Sequence, residues 1–215
     1  MLSPRERLIQ DAGSLGVSLS PADAQRLLQL TEELARWNRT YNLTSITAPE
    51  QMLTHHLLDS LAVHPDLYGT AIADVGTGAG FPGLPLDVCN RERQFTLIDS
   101  SSKKIRFVSH AVHLLGLTNV TPVHARAEAL APATPFDTVL TRAMAPLPKM
   151  LATVASLCGP ETRVLALKGR VPQEELAALP APWRLLSLRQ IVVPGLEAAR
   201  CVLTLGRAQA PAGPS

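Results

Sequence analysis

Residues Ile72–Leu86 read IADVGTGAGFPGLPL: an apolar run holding one acid, then four glycines and two prolines. A short apolar run that breaks into glycines predicts a strand over 71–75, a tight turn, and a helix near 83–90. Glycine is needed there because φ must be positive or because a ligand lies where a Cβ would collide. The glycines fit two registers. Gly78, Gly80 and Gly83 spell the G-x-G-x-x-G of a dinucleotide site, whereas Gly76, Gly78 and Gly80 spell the G-x-G-x-G of a nucleoside site. A tight turn without a ligand is the plain alternative, and three glycines at alternate positions argue against it.

Outward from this turn, strands are expected at 71–75, 94–99, 119–124, 136–141 and 162–168. Helices are expected near 83–90, 101–115, 146–157 and 172–179. Such alternation gives a parallel sheet with right-handed crossovers. RLLSLRQIVV and RCVLTLGR flank the loop Pro194–Ala199 with no helix between them, so they are expected to close the sheet as an antiparallel pair. Residues 1–65 read as a helical cap, with a short helix near 4–12. Ser20-Pro21-Ala22-Asp23 starts a second helix running to about Asn38, and a third spans about 49–63. The alternating strand–helix domain is then 66–207. The tail from 208 to 215 has nothing to bury and is expected to be disordered.

Composition bounds the function. The 215 residues allow one α/β core plus an appendage. No run reaches the roughly 18 apolar residues of a membrane span, and MLSPRERLIQ lacks an apolar leader, so a cytoplasmic protein with no membrane role is expected. Cys89, Cys158 and Cys201 are isolated, which predicts free thiols. The net charge of +2 is too mild to announce nucleic acid, and 4% aromatic content argues against an extended base-stacking platform. RNA contact would need a local basic patch. His55-His56 are adjacent and so face different sides of a helix, and His110 and His113 have no carboxylate or thiol nearby; no metal site is expected.

A parallel sheet holds its ligand at the carboxyl ends of its strands, where the glycine turn sits. Asp99 ends the second strand, 19 residues beyond Gly80, and can take both ribose hydroxyls in either register, or cap the following helix. Asp74, two residues before Gly76, can brace the turn or meet a cationic ligand end. A dinucleotide needs free N–H groups at the helix N-terminus for its pyrophosphate, and Pro82 and Pro85 remove two donors. That favours a nucleoside with a cationic sulfur, S-adenosyl-L-methionine. Glu128, just past the third strand, is placed for the adenine amino group or is a solvent-facing acid. Arg142, ending the fourth strand beside the first, points at the pocket mouth or makes a surface ion pair.

WNRTYNLTS (37–45), the helix with His56 and Asp59-Ser60, DVGTGAGFPGLPL, LIDSSSKKIRF, FDTVLTRA and ALKGR together resemble the bacterial 16S ribosomal RNA guanine-N7 methyltransferases, the glucose-inhibited division protein B family. The resemblance implies a class I S-adenosylmethionine-dependent methyltransferase fold (Rossmann-like, with a mostly parallel seven-stranded sheet and a C-terminal antiparallel hairpin). It also implies methylation of one guanine in the 530 loop of 16S rRNA, within the 30S subunit or an assembly intermediate. By position it implies cofactor contacts from Gly76, Thr77, Gly78, Gly80 and Phe81, with Asp99 on the ribose, Ala127 and Glu128 on the adenine, and Arg142 on the methionine or substrate side. Two departures stand out: Ala129 where relatives often carry a second acid, and Thr141 where Ser is commoner.

Elimination of other methyl acceptors points the same way. An exocyclic amine usually calls for an Asn/Asp-Pro-Pro-aromatic turn after the fourth strand, and TRAMAPLP does not match. A pyrimidine carbon calls for a nucleophilic cysteine, and neither Cys158 nor Cys201 falls in a suitable loop. Guanine N7 carries a lone pair and no proton, so no catalytic general base is assigned; the site must place N7 within about 3–3.5 Å of the methyl carbon. That edge is hidden in A-form RNA, so the target should be looped or opened. Lys168, Arg142, Lys103 and Arg200 are the candidates for RNA contact, with Lys104, Arg106, Lys149, Arg170, Arg36 and Arg39 as further basic residues. The alternatives are a nicotinamide-dependent oxidoreductase using the Gly78 register and a non-catalytic nucleotide sensor.

Overall fold

Alternating apolar segments and helices after residue 65 assemble into one seven-stranded sheet in the computed structural model, which describes residues 2–142 and 144–208. The strands are β1 Ala71–Val75, β2 Gln94–Asp99, β3 Val120–His124, β4 Phe136–Arg142, β5 Cys158–Lys168, β6 Trp183–Ile191 and β7 Arg200–Arg207, in the spatial order β3-β2-β1-β4-β5-β7-β6. The first five are parallel; β7 runs antiparallel to β5 and β6 antiparallel to β7. The β6–β7 link is too short for a helical crossover, which needs about a dozen residues, so only an antiparallel return is open to it. β5 starts four residues earlier than expected, at Cys158, where Thr162 accepts from the Gly159 N–H at 2.8 Å within the strand and donates to the Phe136 carbonyl at 2.6 Å across a shifted register with β4.

The helical cap begins with α1 Pro4–Ser14, whose N-terminus carries a reciprocal Ser3–Glu6 capping box. α2 Pro21–Tyr41 starts as expected, with the Ser20 hydroxyl accepting from the Asp23 N–H, but runs three residues past Asn38 to a left-handed Asn42. The third cap helix is not one regular helix: α3 Pro49–Met52 passes into a π-helical segment Leu53–Leu58 and then α4 Asp59–Leu61. Leu27, Leu30 and Leu57 of the cap are fully buried in the same continuous core as Ile72, Leu97 and Leu140 of the sheet. Each such buried leucine contributes about 1.5–3 kcal/mol, so the cap forms one wall of the fold.

The remaining helices are α5 Gly83–Val88, α6 Ser102–Leu115, α7 Leu147–Val154 and α8 Gln173–Ala177. α7 gives way to a 3-10 turn over Ala155–Leu157 within the expected span. The expected disordered tail lies outside the described residues except Ala208, whose N–H donates to the Pro182 carbonyl at 2.7 Å. Among the described residues no helix is long and apolar enough to cross a membrane.

Asp87 of α5 is fully buried and accepts a hydrogen bond from the Asn119 side-chain amide. Burial pushes its carboxyl up to about 7, opposed by that hydrogen bond. The unfolded carboxyl ionises near pH 4. Folding therefore takes up a proton between about pH 4 and 7, and this group's contribution to stability falls as pH rises through that window. Asp87→Asn, whose amide oxygen can still accept from Asn119, should match the parent protein near pH 4 and exceed it by up to about 4 kcal/mol at pH 8. Urea unfolding at the two pH values measures this, and a gain independent of pH would contradict it.

Candidate active site

β1 is flanked by β2 on one side and β4 on the other, so the crossovers diverge there and open a cleft at the strands' carboxyl ends. The cleft, about 340 Å³, is lined by Val75, Gly76, Ile98, Asp99, Lys104, Ala127, Glu128 and Arg142, among others. Gly76, Gly78 and Gly80 all have positive φ, of 71°, 63° and 90°. A Cβ on Gly78 would meet nothing within 4 Å, so backbone conformation selects glycine there. Gly83 differs: its missing Cβ would lie 2.2 Å from Leu97 and 2.8 Å from Asp74, so it is close helix–sheet packing that selects it.

Asp74 resolves the two ligand registers. Its Oδ2 accepts from the Thr77 hydroxyl at 2.7 Å and from the Gly83 N–H at 2.8 Å, at the first residue of α5. The Leu84 and Leu86 N–H groups donate to the Gly80 and Pro82 carbonyls, and Pro85 has none to give. The donors a pyrophosphate would need are thus engaged, and a carboxylate stands where it would sit. Asp74 braces the turn. Burial pushes its carboxyl up to about 6, with the two hydrogen bonds opposing the rise.

Asp99 closes the other side. Its Oδ2 accepts from the Gly78 N–H at 2.9 Å and its Oδ1 from the Ser101 N–H at 2.8 Å. Each ionised oxygen retains a further lone pair. This pins Asp99 against the turn with acceptor capacity left for a vicinal diol, while Ser101 takes the N-cap position of α6.

A second basin of about 560 Å³ adjoins the cleft, lined by residues 43–46 of the cap together with His55, His56, Asp59, Arg142, Leu167, Lys168, Gly169 and Arg200. Arg142 lines both spaces. Buried Asp59 holds two arginines, accepting from Arg200 Nε at 2.8 Å and from Arg142 Nη1 at 3.4 Å. Lys168 Nζ lies 3.2 Å from Glu175 and donates to the Ala145 carbonyl at 3.4 Å. The Asn38 side chain folds the cap into the basin wall: it accepts from the Leu43 and Thr44 N–H groups and donates to the Thr44 carbonyl. Thr44 then meets His56 Nε2 at 3.0 Å. The His56 ring stacks on Phe81 at 4.7 Å, and burial, then Arg142 and His55, push it down to about 4, so it is neutral at physiological pH.

The sequence matches the family model GidB, rRNA small subunit methyltransferase G, over residues 23–203. It is 47% identical to ribosomal RNA small subunit methyltransferase G of Aeromonas salmonicida, across 87% of this chain and 90% of that protein. It is 43% identical to the protein of the same name from Erwinia tasmaniensis, across 96% and 100%. The chain belongs to this family.

Solved structures place this family member's fold among the methyltransferases. A S-adenosylmethionine-dependent methyltransferase from Thiobacillus denitrificans, in complex with S-adenosyl-L-homocysteine, superposes with a TM-score of 0.54 at 13% identity, covering 81% of this chain and 98% of that one. TrmN from Thermus thermophilus gives 0.55 at 20% identity, covering 73% and 53%.

Against the candidates from sequence, Gly76, Asp99, Ala127, Glu128 and Arg142 come together around the cleft. Thr77, buried, has its hydroxyl on Asp74, and Phe81, also buried, has its ring against His56. Gly80 faces Leu84, where a Cβ would lie 2.3 Å away. These three shape the turn from behind. Lys168, Arg142 and Arg200 converge on the basin, whereas Lys103 lies apart, donating to the Tyr41 carbonyl at 3.0 Å. Both histidines of the adjacent pair line the basin, carried by the π-helical segment Leu53–Leu58. Asp59 enters the sequence analysis only in the Asp59-Ser60 stretch of the resemblance; its hold on two arginines has as local signal an acid in the largely apolar run LLDSLAV.

Proposed function

We propose that this chain transfers a methyl group from S-adenosyl-L-methionine to N7 of a single guanine in the 530 loop of 16S rRNA, in the 30S subunit or an assembly intermediate. The observation that carries the reading is the pair of adjoining spaces sharing Arg142: a nucleoside-sized cleft behind the glycine turn and a basin edged by basic side chains. The residues fit the donor. Asp99 has free acceptor positions for the ribose, Glu128 lines the same cleft and suits the adenine, and no phosphate-binding donors remain at α5. S-adenosylmethionine supplies, when bound, a methyl group made electrophilic by its sulfonium.

The chain's own task is placement. N7 brings its lone pair and carries no proton, so no side chain is assigned as a general base. Arg142, held by Asp59 and over the Phe81 ring at 6.0 Å, is fixed at the boundary between donor and acceptor. Lys168 and Arg200 are suited to RNA phosphates on the acceptor side. Such a reaction belongs to the cytoplasm, where ribosomal subunits are made.

Incubating small subunits from cells lacking the gene with methyl-labelled donor tests the reading; label should appear as 7-methylguanine in the 530 loop. Under single-turnover conditions the transfer rate should be level from pH 7 to 8.5, since no proton moves in the step. Label in a different base, or a rate rising tenfold per pH unit, would defeat the proposal.

A further inference from the structure

Leu34–Pro49 and Ser100–Ala127 are two of the stretches of this chain that carry no acid. The fold brings the segments together, because the end of α2 packs against the start of α6. Lys103 Nζ donates to the Tyr41 carbonyl at 3.0 Å, and the Arg106 guanidinium lies 5.7 Å from the centre of the Tyr41 ring. Tyr41 in turn sits 5.3 Å from Trp37, which packs on Phe107 of the core at 5.6 Å. A row of planar groups therefore steps outward from the core and ends at the surface, where Tyr41 is 37% exposed and Lys103 and Arg106 are exposed beside it.

The Glu33 carboxylate beneath this row is buried and engaged. Glu33 accepts from Trp37 Nε1 at 3.0 Å, contacts His110 Nε2 at 2.9 Å, and pairs with Arg36 at 3.1 Å. It anchors the row and leaves the outer face basic. The patch also borders both functional spaces: Leu43, two residues past Tyr41, lines the basin, and Lys104, next to Lys103, lines the donor cleft.

We propose that Tyr41 and Arg106 form a stacking site for an unpaired nucleobase flanking the modified guanine, with Lys103 on its phosphate. This rests on the rRNA reading above and extends the contact surface to the cap. The low aromatic content argues against a long platform, but one base needs only one exposed ring backed by a cation, and aromatic or guanidinium planes hold unpaired bases without regard to sequence. The site would grip RNA whose loop is already opened and leave duplex unbound.

The test compares the parent protein with Tyr41→Ala, Tyr41→Phe and the pair Lys103→Gln/Arg106→Gln. Each is measured for affinity to small subunits from cells lacking the gene, affinity for S-adenosylmethionine, and thermal midpoint. Tyr41→Ala should weaken subunit binding about tenfold and Tyr41→Phe should restore it. The paired variant should lower the salt dependence of binding by about one charge. Donor affinity should stay within about twofold throughout. Parent-like subunit binding by Tyr41→Ala overturns the stacking site while methyl transfer by the parent protein leaves the functional reading intact. Failure of the parent to methylate any subunit defeats the functional reading itself. If Tyr41→Ala loses its cooperative melt, Arg106→Glu on the exposed flank decides, and unchanged subunit affinity there overturns the proposal equally.

Discussion

Asp99→Ala is expected to weaken S-adenosylmethionine binding by at least about 100-fold. The carboxylate is 7% exposed and already committed to the Gly78 and Ser101 N–H groups, so its orientation is set before any ligand arrives. Hydrogen bonds to a charged acceptor each contribute about 1.5–3 kcal/mol, and two ribose hydroxyls would draw on the same group. Alanine also leaves two backbone donors without partners and frees the turn at Gly78. Asp99→Asn should fall between, since its amide offers one acceptor oxygen and presents donors where the other stood. Titration calorimetry with the donor checks the series, and donor affinity within threefold of the parent for Asp99→Ala would remove the cleft from the account.

The second large effect is on folding. Gly83→Ala places a methyl 2.2 Å from Leu97 Cδ2 and 2.8 Å from Asp74 Oδ2; both are side-chain ends, but both residues are fully buried and have no open space to move into. Overpacking of this kind costs about 1–3 kcal/mol and more where the neighbours are fixed. Here the shift also breaks the Asp74–Gly83 hydrogen bond that seats α5 on the turn, so a loss of about 3 kcal/mol or more is expected, with weaker donor binding. Gly13→Ala is the control. Gly13 lies within α1, its added Cβ would meet nothing within 4 Å, and alanine there should be neutral or stabilise by up to about 1 kcal/mol. Urea midpoints of the two variants measure the contrast, and equal midpoints would show that α5 can move away from the sheet at little cost.

Much of this arrangement is written in short-range pattern. The apolar run before Gly76, the Ser20 start of α2, and the short link between the last two strands each describe hydrogen bonding within a few residues. The order of elements and the class of fold follow from them. The glycines alone leave two ligands open, and the Asp74–Gly83 contact chooses between them. Sequence marks Asp74 as able to brace the turn, but only its burial beneath α5 shows where its oxygen points.

The basin is the part that pattern could not reach. Asp59 and Arg142 are separated by 83 residues, and Asp59 and Arg200 by 141. No periodicity links them, because a helix or strand repeats over two to four residues whereas ion pairs form wherever packing brings charges together. The π-helical turn at Leu53–Leu58 is likewise a tertiary outcome, since α geometry is the local preference and packing of the cap against the sheet overrides it. Sequence by itself determined the strand–turn–helix scaffold, the glycine positions and the acid at the end of β2. Tertiary structure decided which donors at α5 remain free, which arginines share a carboxylate, and how the cap helices complete the acceptor wall, because these depend on burial and on contacts between distant segments.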